Sequence, residues 1–260
     1  MTTTHRPGNA PWGRPLANLL NVIWPFLLLI SLWHAWIVID EVPQLVALSP
    51  WLALKGMVSY FGELVPDMLA TSAVIGTGLL AGMLMGVALA SFAWFSPLLG
   101  GMLTPAVVLI NAVPSVALIP IVASIFGFNT AAVVAIAALI TFFPAFVLTR
   151  SGLDAVPPGS DDLFSVLGSS RHARFTHLAL PAALPNVATA LRIGAMLSVL
   201  GSLTAEWLLG TQGLGYRLAL AQQIMDTELA WSICMLAIAF SLLVFGSATL
   251  LERYIASRFR

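Results

Sequence analysis

Apolar residues run along this chain in six long stretches, and short polar segments between them carry most of its charges. A helix needs about 20 residues to cross the hydrocarbon core of a bilayer. The stretches at 17–39, 69–95, 103–126, 130–149, 184–208 and 229–251 meet that length. The pattern predicts an all-α integral membrane protein of about six transmembrane helices, with a polar tail at 1–16 and a membrane domain at 17–260. Within that domain a polar loop occupies about 151–183. The first stretch is too long for the ~7–15-residue core of a cleaved signal and lacks a small-x-small site, so it is expected to stay as a span.

Two places break the regularity. Pro105, Pro114 and Pro120 interrupt the third stretch and predict kinks or a break, which membranes tolerate only where protein or a water-filled cavity covers the freed backbone groups. Between the first two spans, Pro43, Pro50 and Pro66 surround Trp51-Leu-Ala-Leu-Lys-Gly-Met-Val-Ser-Tyr-Phe. That run predicts a short amphipathic helix lying at the outer interface, anchored by Trp51, Tyr60 and Phe61.

Composition agrees with the pattern: 59% of the 260 residues are apolar and 8% charged, against about 25% charged in soluble domains. Net charge is zero, so no overall field recruits nucleic acid. The distribution says more. With the N-terminus inside, Arg6, Arg14, Arg150, Arg171, Arg174, Arg253, Arg258 and Arg260 fall on the cytoplasmic side, and Arg192 is near enough to snorkel there. Only Lys55 and Arg217 fall outside, so nine of eleven basic residues predict cytoplasmic termini and a cytoplasmic 150–183 loop.

Several chemistries are excluded. Cys234 has no partner cysteine in the chain. His5, His34, His172 and His177 are scattered without further ligands, which argues against a metal site. A phosphate-binding loop needs Gly-Lys followed by Ser or Thr; the one lysine, Lys55, follows Leu54, so ATP-driven work must come from a partner.

Inside the spans, Gly78, Gly82, Gly86 and Ala90 recur every four residues and predict a helix-packing face. Asn111 and Ser115 flank Pro114 and mark either an interhelical hydrogen bond or a polar pathway. Gly194, Ser198, Ser202 and Glu206 form a weakly polar stripe on the fifth span. It can line a translocation path, or the serines can bond their own backbone while Glu206 reaches the outer interface. Asn111, Ser115, Ser198, Ser202 and Glu206 are thus the candidate pathway residues.

The polar loop is built as a rigid knob. Pro157, Pro158 and Gly159 end one segment; Ser160 or Asp161 is placed to cap a short helix running to Gly168, and Ser169 or Ser170 to cap a second before Pro181 and Pro185. Asp162-Leu163-Phe164, Gly168, Leu178 and Leu180-Pro181 stand at the intervals of a known pattern: Glu-Ala-Ala, three residues, Gly, nine residues, Ile, one residue, Leu-Pro. The loop therefore resembles the coupling loop, or EAA motif, of permease subunits of ATP-binding-cassette importers, although its opening triplet keeps only the acid. Ala-Val-Pro-Ser-Val-Ala-Leu-Ile-Pro at 112–120, Leu-Pro-Ala-Ala-Leu-Pro at 180–185, and Ala-Glu followed by Gly-Leu-Gly-Tyr at 205–216 are similar to the nitrate, sulfonate and taurine branch.

The resemblance implies a type I importer permease fold in the bacterial cytoplasmic (inner) membrane. It implies a second copy of the permease, two cytoplasmic ATP-binding subunits that carry ATP and Mg, and an external solute-binding protein, with no cofactor on this chain. Asp162, Gly168, Ser169, Arg171, Arg174, Phe175, Leu178, Leu180 and Pro181 would form the ATPase-coupling site, and the solute would be small and anionic. An ion-coupled transporter or channel is the competing reading; such proteins place ionisable groups at mid-membrane, and no Asp, Glu or Lys stands clearly at a span centre here. A membrane-embedded enzyme would show clustered acids or ligands near an interface, and the sequence has none.

Overall fold

The computed structural model describes residues 13–258, with side chains from Trp24 onward except that of Asp161. The tail with His5 and Arg6, and Arg260 at the other end, lie outside the described residues. Regular structure among the described residues is entirely helical. The long helices are α1 (Gly13–Ile39), α2 (Pro50–Phe95), α5 (Thr130–Asp154), α8 (Leu180–Leu209) and α10 (Thr227–Arg258). Between them lie α3 (Pro97–Asn111), α4 (Ser115–Phe126), α6 (Ser160–Val166), α7 (Arg171–Arg174) and α9 (Leu214–Gln223).

Helices α2, α5, α8 with the segment leading into it, and α10 are long and apolar enough to cross a membrane. Helices α3 and α4, bent by 101° around Ala112–Pro114 as the prolines require, are together long and apolar enough for one broken crossing or a re-entrant loop. Helix α1, 27 residues long, takes the place of the first expected span. It lies at the margin of the bundle, where Trp33 stacks on Trp231 of α10 with ring centroids 5.0 Å apart.

The segment before the second span departs from expectation. Residues 51–61 are not a separate interfacial helix: they are the opening turns of α2, which runs unbroken for 46 residues with Pro66 inside it. Ser49 caps it, its Oγ accepting from the Leu52 N–H at 3.4 Å, and Pro50 occupies the first turn, where a proline loses nothing. Tertiary packing carries the helix through Pro66. Gly56 lies against Ser232 of α10, and Leu64 is buried with Leu214 of α9 and Ile233 of α10.

The core is the contact of α2 with α5 and of α5 with α8. The predicted small-residue face meets α5: a Cβ on Gly78 would stand 2.5 Å from the Ala137 Cβ, and one on Gly86 2.5 Å from the Ala145 Cβ. Lipid tails are as apolar as the side chains, so close backbone approach supplies the packing energy that hydrophobic burial supplies in water. Arg192, expected near enough to the inner surface to snorkel, also finds a partner. It pairs with Glu252 of α10 at 3.0 Å, and the other Glu252 oxygen accepts from the Thr189 hydroxyl at 2.8 Å. A partner on the adjacent helix satisfies the guanidinium more cheaply than a stretched side chain.

Candidate functional site

At the end of the bundle where α2 and α5 finish and α8 begins, the segment from Gly159 to Ala179 is held by successive local devices. Gly159, at φ +79°, starts α6 in the left-handed region. The N-cap position falls on Gly159, so Ser160 and Asp161, the expected caps, lie inside the helix. The other end is a Schellman closure. Gly168, at φ +67°, donates its N–H to the Ser165 carbonyl at 3.0 Å, while both the N–H (3.0 Å) and the hydroxyl (2.7 Å) of Ser169 donate to the Phe164 carbonyl. Ser170 then caps α7 by accepting from the Ala173 N–H at 3.2 Å. The two candidate serines therefore divide the work, one closing α6 and the next opening α7.

This arrangement leaves α6 as a short rigid projection with apolar residues in the open. Leu163 is 58%, Val166 86% and Leu167 71% exposed. Asp162 is exposed beside them. Gly168 has open space where a Cβ would stand, so its requirement is conformational. Asparagine, which tolerates the left-handed region, is expected to be accepted there, whereas valine is expected to reorient α6. Limited proteolysis between Pro158 and Ser170 checks this: Gly168→Val cleaves faster than the parent and Gly168→Asn does not.

The second short helix is not the separate unit that was expected. Helix α7 passes through one π-helical turn (Phe175–Ala179) directly into α8. That wide turn ends just before Pro181, which lacks an N–H and whose ring would crowd the carbonyl four residues earlier. Ala179 is buried with Leu153 of α5 and Ala183 of α8, while Arg174, Leu178, Leu180 and Pro181 are half-buried. Arg171 donates from Nη2 to the Trp94 carbonyl at 3.3 Å, and its guanidinium lies 5.8 Å over the Trp94 ring. Phe175 sits against Trp94 and Phe95 at 5.3 and 4.8 Å between centroids. Sequence reasoning missed Trp94 and Phe95; two aromatic residues closing an apolar span just before Ser96-Pro97 were the available signal.

The candidate pathway residues are not brought together. Asn111 and Ser115 are exposed at the α3–α4 elbow. Ser198, Ser202 and Glu206 are buried, with the Ser198 hydroxyl donating to the Ile75 carbonyl of α2 at 3.2 Å. Glu206, one turn from the end of α8, does not reach outward. Its side chain is 2% exposed, and Oε2 accepts from the Thr71 hydroxyl at 2.8 Å and from the Gly215 N–H at 3.0 Å. Thr71 Oγ1 accepts in turn from the Leu214 N–H at 2.9 Å. Asp67 accepts from the Gly213 N–H at 3.3 Å and pairs with Arg217 at 3.3 Å. Gly213, at φ +99°, has the Glu206 carboxylate 2.5 Å from where a Cβ would stand. Thr71 and Asp67 were not legible as partners; the glycines following Ala205-Glu206 were the trace of the close packing. Among the described residues no three His, Cys, Asp or Glu side chains are grouped to hold a metal.

Residues 78–260 match the family described as binding-protein-dependent transport system inner membrane component. The formylaminopyrimidine transport permease protein ThiX of Halalkalibacterium halodurans is 34% identical over 147 residues, which is 56% of this chain and 59% of that protein. The chain thus spans about three fifths of the length of that relative. The taurine transport system permease protein TauC of Escherichia coli is 26% identical over 251 residues, covering 93% of this chain and 91% of that one. Among solved structures, one chain of the inward-facing MetNI methionine ABC transporter superposes with a TM-score of 0.65 at 17% identity, over 76% of this chain and 98% of its own. That likeness places the fold.

Proposed function

The chain belongs to the family of binding-protein-dependent transport system inner membrane components, and from that premise we propose that it forms the membrane pathway for a small anionic solute, driven through α6 by a separate ATPase. As a family member it is a multi-pass permease subunit of an ABC importer. The observation that carries the coupling role is α6 itself: a helix closed at Gly168 and Ser169 inside the family-matched region, presenting Leu163, Val166 and Leu167 beyond the packed ends of α2, α5 and α8. An apolar projection of this kind fits a cleft on a soluble subunit. ATP and Mg belong to that subunit.

Among the described residues the end of the bundle bearing α6 holds Arg150, Arg171, Arg174, Arg253 and Arg258, and the opposite end holds Lys55 and Arg217, the latter paired with Asp67. That asymmetry supports a cytoplasmic α6, with the Glu206 end facing an external solute-binding protein. The exposed elbow at Ala112–Pro114, where the Ala112 and Val113 carbonyls accept no backbone bond, supports a second copy of the chain, because irregular backbone at membrane depth needs protein or water over it. An anionic group on the solute is supported by the taurine permease among the relatives, since taurine carries a sulfonate. Few cationic side chains line the spans, so the choice of solute rests with the binding protein.

The test is to purify the tagged full chain from its native membrane and identify what accompanies it. An ATP-binding subunit is expected with the parent chain and is expected to be lost from Val166→Asp, which places a charge on the exposed face without touching the core. Equal recovery of the subunit by both chains, or by neither, rejects the docking role of α6.

A further inference from the structure

We infer that Phe175, aided by Arg171, passes the displacement of α6 to helix α2, which makes these two positioning residues of transport rather than parts of the surface that meets the ATPase; the inference rests on the reading of α6 as that surface. Helix α6 presents Leu163, Val166 and Leu167 outward, and its continuation, α7, is where the segment grips the bundle. Arg171 grips α2 twice, by its N–H to the Trp94 carbonyl and by its guanidinium over the Trp94 ring. That carbonyl lies in the last turn of α2, where backbone acceptors have no partner within the helix. Phe175 completes the clasp: its ring contacts both Trp94 and Phe95, which themselves meet edge to face at 5.2 Å.

The joint toward α8 is different in kind. The π-helical turn begins at Phe175 and is closed by the Leu180 N–H donating to the Phe175 carbonyl; such wide single turns recur at functional positions. A push on α6 meets the packed aromatic contact with the end of α2 at Phe175, before the turn whose Ala179 is buried against Leu153 and Ala183. Helix α2 has no break between Phe95 and Thr71, about 36 Å at 1.5 Å per residue. At Thr71 and Asp67 it is bonded to Glu206, Leu214 and Gly213, the turn that closes α8. The path from the clasp to that turn thus runs through one continuous rod.

The experiment uses the full chain, with Cys234→Ala and Thr211→Cys as a reporter in that turn, bound to its co-purified ATPase in vesicles of phosphatidylethanolamine and phosphatidylglycerol. The rate of reaction of the reporter with a membrane-impermeant maleimide is measured with and without Mg-ATP. In the unsubstituted background ATP is expected to change the rate by ~5-fold or more, the lower range of a coupling between sites. Phe175→Ala is expected to keep the ATPase subunit bound and to bring the ratio of the two rates to one, with Phe175→Tyr restoring it. Arg171→Gln, a change at an exposed side chain, is expected to reduce the ratio, which guards against a folding defect in the first variant. An ATP-dependent ratio that survives both Phe175→Ala and Arg171→Gln overturns the inference, and so does loss of the ATPase subunit from both, which would put these residues in the docking surface. If the parent chain itself recovers no ATPase, the docking reading fails first and this inference falls with it.

Discussion

Gly82→Val is expected to leave little folded chain to purify. A Cβ at Gly82 would overlap the Thr141 hydroxyl, stand 2.5 Å from the Ala138 carbonyl oxygen and 3.0 Å from the Phe142 nitrogen. Two of those obstacles are backbone, so no rotamer change on α5 makes room. Overpacking typically costs about 1–3 kcal/mol, and this site lies at the upper end, because the helices must separate along the whole stripe from Gly78 to Ala90. In lipid that separation surrenders the van der Waals contact that holds the pair together. Gly76→Ala is the control on the same helix: no atom lies within 4 Å of its would-be Cβ, and the substitution removes a poor helix former. Yield of monodisperse protein and the SDS concentration at half-unfolding measure both. A Gly82→Val chain that unfolds with the parent would mean that α2 and α5 do not pack as described.

The second large effect is expected at Glu206. Glu206→Ala removes the acceptor that serves the Thr71 hydroxyl and the Gly215 N–H, both buried, at about 1–3 kcal/mol for each donor left unpaired. It also opens a void beside Gly213, where the carboxylate now fills the space. The consequence is local before it is global: the turn from Gly210 to Gly215 loses its tie to α2. Hydrogen exchange should show faster exchange at the Leu214 and Gly215 amides in Glu206→Ala. Glu206→Gln retains one acceptor oxygen and is expected to fall between the parent and the alanine variant. Unchanged exchange at these amides in the alanine variant would show that the carboxylate is not what holds the turn.

These two sites differ in how much of them the sequence reveals. The glycine stripe is periodic, and its role follows from spacing alone, since residues four apart share a helix face. Glu206 and Thr71 are separated by 135 residues, and no local pattern brings them together. The segment around α6 is legible for the same reason as the stripe: Gly168, Ser169 and Ser170 act on neighbours within five residues. Its anchorage is not legible, because Arg171 reaches Trp94 across 77 positions. Helix α2 shows a third case. Pro50 and Pro66 both read as interruptions, yet Pro50 follows Ser49 in the arrangement that starts a helix. Pro66 is overridden by the burial of Leu64 against α9 and α10. Of the six apolar stretches, four become helices long enough to cross among the described residues, a fifth becomes the bent pair of α3 and α4, and the first falls in α1, whose apolar part from Trp24 to Ile39 is shorter.

The elbow between α3 and α4 has a consequence for the amount of protein a cell must make. The N–H groups of Ala112 and Val113 bond back to α3 and the Pro114 carbonyl accepts from Ala117, but the carbonyls of Ala112 and Val113 accept no backbone bond in a single chain, and hydrocarbon offers them none. Their cover is then protein or water. Where the second copy proposed above is that cover, stability is inseparable from the chain's concentration. In a membrane that concentration is a surface density, so sparse expression lengthens the time each new molecule spends with its elbow facing lipid, and the same sequence is less durable where it is rare.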